Sequence, residues 1–109
     1  MIKTYNKLVR DLIPSIINAS GAKCKIKILS DEEYIKMLNV KLDEELTEYH
    51  KDQNVEELVD LLEVIYTIAK THGYSKEDLE ALRTVKADSR GGFDKKILLI
   101  ETTENNKDI

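Results

Sequence analysis

One segment near the middle of the chain, from Val55 to Thr71, constrains the fold most. Val55, Leu58, Val59, Leu61, Leu62, Val64, Ile65, Tyr66, Ile68 and Ala69 spread over most of the circumference of a helix. A helix apolar on nearly every side needs cover on nearly every side. A chain of 109 residues has few elements to supply it. The expected solution is a mainly α fold, a helical bundle completed by a homo-oligomer, with a dimer the simplest case.

The rest of the chain reads as further helices and two short strands. Leu12, Ile13, Ile16 and Ile17 fall at helical spacing, and Pro14 fits only in the first turn, so a short helix ends near Ser20-Gly21. Ser30 and Glu33 form a capping box that opens a long helix to about Asp52, with Tyr34, Ile35, Leu38, Leu42, Leu46 and Tyr49 as its apolar stripe. Asn54 with Glu57 repeats the signal for the apolar helix, which Gly73 stops. Ser75 with Asp78 opens another helix, running to about Arg90 before Gly91-Gly92. In the segment 23–30, Cys24, Ile26 and Ile28 alternate with lysines, which predicts a peripheral strand with Cys24 packed in it. The segment 93–101 is expected to be its partner, and Phe93, like Tyr49 and Tyr66, is expected to pack in the core rather than stack on a base. The whole chain, 1–109, reads as one domain with a polar tail from residue 102.

Charge and cysteine content narrow the function. A formal net charge of -4 argues against a nucleic-acid polymer as partner. The single Cys24 permits neither an intramolecular disulfide nor a cysteine-based zinc cluster, and points to a reducing, cytoplasmic setting. Residues 1–13 lack the apolar run and cleavage site of a secretory leader, and no membrane span is expected. His50 and His72 read as surface residues.

Against this background stand two acidic motifs on consecutive helices, Glu44-Glu45-Leu-Thr-Glu48 and Glu57-Leu-Val-Asp60. In each, carboxylates three residues apart share a helix face. The short loop around 51–54 makes the two helices antiparallel neighbours, which would bring Glu45, Glu48, Glu57 and Asp60 into one small volume. A solvated polar stripe is the competing explanation, since Glu56, Asp60, Glu63, Thr67 and Lys70 also share a face. Against it, Glu57 falls between Val64 and Leu61 inside the apolar arc, and Glu45 sits at the shoulder of the Leu38–Leu42–Tyr49 stripe. A carboxylate facing the core is costly unless it is paired or holds a cation. An all-oxygen ligand set suits Mg²⁺, or Mn²⁺, and Mg²⁺ commonly accompanies a phosphate substrate. Glu44 is a candidate general base. Lys7, Arg10, Lys86, Arg90 and the Gly91-Gly92 backbone are candidates to meet phosphate oxygens.

The order Glu44-Glu45-x-x-Glu48 then Glu57-x-x-Asp60 resembles the metal signature of the all-α nucleoside triphosphate pyrophosphatase superfamily, the MazG-like group. Tyr5-Asn-Lys-Leu-Val-Arg-Asp-Leu-Ile-Pro14 and Arg90-Gly-Gly-Phe93 are similar to the terminal signatures of a small single-domain subgroup, phosphoribosyl-ATP pyrophosphohydrolase-like in label. The resemblance implies a helical bundle that dimerises or forms tetramers. It implies Mg²⁺-dependent cleavage between the α- and β-phosphates of a nucleotide, giving a monophosphate and pyrophosphate, with removal of noncanonical nucleotides as the role commonly inferred. Matched by position, Glu45, Glu48, Glu57 and Asp60 correspond to the metal ligands, Glu44, Glu45 and Glu48 to the catalytic acids, and Lys86 and Arg90 to basic residues near the phosphates. The alternative from another class is a non-catalytic nucleotide- or metal-binding regulatory dimer on the same fold. A helical interaction module with solvated carboxylates is the third.

Overall fold

A computed structural model of the chain describes residues 1–103 and contains four helices among them: α1 (Ile13–Ala19), α2 (Asp31–Asp52), α3 (Val55–Thr71) and α4 (Lys76–Arg90). Local chemistry sets their ends. Pro14 occupies the first turn of α1, where its missing N–H costs nothing. The Ser30 hydroxyl accepts from the Glu33 backbone N–H while the Glu33 carboxylate accepts from the Ser30 N–H, closing the box at the start of α2. Ser75 and Asp78 do the same for α4. Asn54 caps α3 through its side-chain oxygen. At the other end of α3, the N–H groups of Gly73 and Tyr74 reach back to the carbonyls of Lys70 and Ala69, and Gly73 takes φ +85°. This is the Schellman arrangement that glycine favours.

Gln53 and Asn54 alone separate α2 from α3. Gln53 turns the chain by adopting a left-handed backbone, φ 46° and ψ 47°. The two long helices fold back on each other. Asp31, Tyr34 and Ile35 at the start of α2 share a groove of about 440 Å³ with Thr67, Lys70 and Thr71 at the end of α3. The acidic ends of both helices therefore meet at the turn. Among the described helices, α4 packs on α3 alone.

Among the described residues the buried apolar ones are Leu38, Val64 and Ala69, all on the α2–α3 hairpin. The radius of gyration is 19.0 Å, with extents of 63 × 31 × 22 Å. A compact chain of this length would measure about 13 Å. Much of α3 stays in solvent: Val55, Leu58, Val59, Leu62 and Ile65 are all exposed. The all-round apolar pattern of this helix is thus met by α2 and in part by α4, and left open elsewhere.

The helical class agrees with the sequence; the two expected strands do not form. No residue among those described is in a strand, and the segments 23–30 and 93–101 run without ladder pairing. Alternating side chains favour an extended backbone, but they supply neither a partner strand nor a surface to cover one face. A lone pair of strands is marginal in water without such cover. Two further expectations fall with the strands. Cys24 is exposed rather than packed, and Phe93 is 98% exposed rather than in the core. Most of the expected polar tail lies outside the described residues.

Candidate metal centre

The turn between α2 and α3 gathers acidic side chains from both helices. Carboxylate oxygens of Glu45, Glu57 and Asp60 lie within 4.8 Å of one another, and those of Glu48, Asp52 and Glu57 form a second such group. Glu57 belongs to both groups, so the two sets are contiguous. Each helix places its members one turn apart on the face toward the other: Glu45, Glu48 and Asp52 on α2, Glu57 and Asp60 on α3. All four expected ligand positions come together.

Cations surround one half of this cluster. The Lys7 Nζ donates to Glu44 Oε1 at 3.2 Å, and the Arg10 Nη2 donates to Asp60 Oδ1 at 2.7 Å. Lys41, one turn before Glu44 and Glu45, donates to Glu44 Oε2 at 3.2 Å and pairs with Glu45 Oε1 at 3.4 Å. The side chains of Lys41 and Glu45 are only 17% and 12% exposed. Glu48, Asp52 and Glu57 make no ion pair among the described residues. Three cationic groups against six carboxylates leave the cluster net negative.

Proton affinities follow this layout. Glu57 is raised above the ordinary carboxyl value, first by loss of hydration and then by repulsion from Asp52, Asp60, Glu48 and Glu45. Glu44 is partly desolvated, which alone would raise it, but hydrogen bonds from Lys41 and Lys7 outweigh that and hold it low. The two carboxyls of this turn thus shift in opposite directions, Glu44 with ammonium partners and Glu57 with carboxylate neighbours. Glu57 carries uncompensated charge, while Glu44 is a satisfied and weakly basic carboxylate.

The donor set suits a hard cation. Oxygens on opposite sides of Mg²⁺ stand about 4.2 Å apart, twice the usual bond length of about 2.1 Å. Small side-chain rotations bring groups spaced within 4.8 Å into that range. Raised proton affinity at Glu57 marks the same spot, since an ion would relieve the repulsion there.

Two participants, Asp52 and Lys41, escaped the sequence reading. Asp52 lies four residues after Glu48 and Lys41 four before Glu45, so helical spacing alone carried both signals. By contrast, Lys86 and Arg90 do not reach the cluster. Both are exposed on α4, which packs on α3 and not on α2, and neither makes an ion pair among the described residues. The resemblance set them beside the phosphates; in this chain α4 contacts α3 alone among the described helices. His50 and His72 are exposed, as expected.

No family model matches the chain, and no solved structure matches it. A stretch of 42 residues, 38% of this chain, is 55% identical to an uncharacterized protein of Mycolicibacterium smegmatis. That stretch spans 43% of the relative, less than half its length. No helix among the described residues is long and apolar enough to cross a membrane.

Proposed function

We propose that this protein is a Mg²⁺-dependent nucleotide pyrophosphohydrolase of the MazG-like kind, cleaving a nucleoside triphosphate or related nucleotide between the α- and β-phosphates. The observation that carries the reading is the gathering of Glu45, Glu48, Glu57 and Asp60 at one turn, in two carboxylate groups that share Glu57. The four match the motif order by position, and a fifth carboxylate, Asp52, joins them.

In this reading Glu45, Glu57 and Asp60 hold one ion, and Glu48, Asp52 and Glu57 stand ready for a second. When held there, Mg²⁺ would supply charge neutralisation at phosphate oxygens and acidification of a water. Lys7 and Arg10 supply positive charge from the N-terminal arm, already at the rim of the carboxylate cluster. Glu44 acts as a proton acceptor only once a lysine leaves it, because both its oxygens are engaged by Lys7 and Lys41. Lys86 and Arg90 join the site only if another copy of the chain brings α4 to it.

The assembly follows from the open face of α3. The extended shape and the exposed Leu58, Val59 and Leu62 support a homo-oligomer, dimer or tetramer, in which copies cover one another's α3. Alanine at Glu45 or at Asp60 tests the site. Either variant should retain its helical content and oligomeric state and lose nucleotide hydrolysis by at least two orders of magnitude; turnover at the parental rate would refute the assignment.

A further inference from the structure

Residues 1–12 precede the first helix, yet two of them are fixed to different helices. Lys7 reaches Glu44 on α2, and Arg10 reaches Asp60 on α3. The arm thus bridges both walls of the acidic turn. Its path is set locally: Asn6 takes a left-handed backbone, φ 47°, and the Arg10 carbonyl accepts from the Ile13 N–H at the start of α1. Pro14 fixes where α1 begins, four residues beyond Arg10.

Arg10 holds an oxygen of Asp60, and Asp60 belongs to one carboxylate group with Glu45 and Glu57. A guanidinium at 2.7 Å and a divalent ion compete for the charge of that one carboxylate. We propose that the N-terminal arm is a cationic strap on the acidic turn, and that a divalent ion displaces Arg10 from Asp60 when it binds. This rests on the metal reading above and adds that the arm opposes the ion. Two features favour the ion in that exchange. It carries twice the charge, and it can draw on Glu45 and Glu57 at once, whereas Arg10 pairs with Asp60 alone among the described residues. Both partners of the Arg10 pair are about half exposed, and an exposed pair is a weak hold. The arm therefore raises the ion concentration at which the site fills.

The chain contains three arginines, Arg10, Arg83 and Arg90, so guanidinium NMR can follow Arg10 directly. Arg83 is bound to Glu80 on α4 and serves as the internal reference. Titration of the full chain with Mg²⁺ should move the Arg10 signals to the position they hold in Asp60→Asn, while those of Arg83 stay in place. Calorimetry should show Arg10→Gln binding Mn²⁺ more tightly than the parent, by up to roughly fivefold. Lys51→Gln, which removes a charge next to Asp52 without breaking an ion pair, should change affinity less. An ion that saturates the parent while Arg10 stays unmoved, or equal or weaker binding by Arg10→Gln, overturns the strap and leaves the metal site standing. Binding by Arg10→Gln where the parent binds none supports the strap. No binding by either overturns both.

Discussion

Removing the charge of Lys41 should destabilise the ion-free protein and cost less once the site is filled. Its ammonium stands 3.2 Å from Glu44 and 3.4 Å from Glu45, and the Lys41 and Glu45 side chains are mostly shielded from water. At an effective dielectric constant of about 20, one such pair attracts by roughly 5 kcal/mol before desolvation. Desolvation cancels most of that, so a net loss of about 1–2 kcal/mol is expected for Lys41→Met, which keeps the length and apolar stem. With an unfolding entropy of about 2.1 cal/mol/K per residue, this lowers Tm by roughly 4–9 °C for a domain of this size. Mg²⁺ at ten times its Kd stabilises the parent by about 1.4 kcal/mol. The variant, freed of a competing ammonium, gains more, so the difference in Tm should shrink. Thermal unfolding followed at 222 nm, at fixed protein concentration with and without Mg²⁺, reads both numbers. An unchanged ion-free Tm, or a difference that widens with Mg²⁺, would refute the electrostatic account of the turn.

Other expectations are open to simple measurement. Since the Glu57 carboxyl is raised in the fold, it binds more protons folded than unfolded, and stability from this group falls as pH rises from about 4.5 through the raised value. Ion-free Glu57→Gln should therefore melt higher than the parent at pH 7 and equally at pH 4, and should gain nothing from Mg²⁺. Glu33 runs the other way: the ion pair with Lys27 and the bonds to Ser30 pull it to about 2. Its contribution is present above its unfolded value and lost as pH falls from about 4.5 to about 2, so the parent should lose more stability than Glu33→Gln across that window. On the open face of α3, Val59→Glu should yield monomers in sedimentation; a monomeric parent, or an assembly that survives the substitution, would remove α3 as the seam.

The helices were legible because their ends are written in short-range chemistry. Ser30 with Glu33, and Ser75 with Asp78, satisfy backbone groups that any helix start leaves open, and Gly73 supplies the turn at the end of α3. Glu57 was legible because a carboxylate in an apolar arc has no structural benefit by itself. The residues 23–30 and 93–101 were misread because strand pairing depends on distant partners, which alternation does not encode. Exposure of Cys24 and Phe93 has the same cause. Lys86 and Arg90 show a related limit, since which helix α4 packs against is a tertiary matter that their own spacing does not encode. Lys41 and Asp52 are a different matter: their spacing from Glu45 and Glu48 was readable, and they lay just outside the motif that drew the eye.

Pyrophosphate release tests the central claim most directly. The parent protein should be offered a panel of canonical and noncanonical nucleoside triphosphates, with Mg²⁺ and with chelator, beside Asp60→Ala prepared in the same way. The account predicts release of pyrophosphate and the matching monophosphate from at least one substrate, abolished by chelator and by the substitution. Release that persists in chelator or in Asp60→Ala, or inorganic phosphate with a diphosphate as the products, would contradict it.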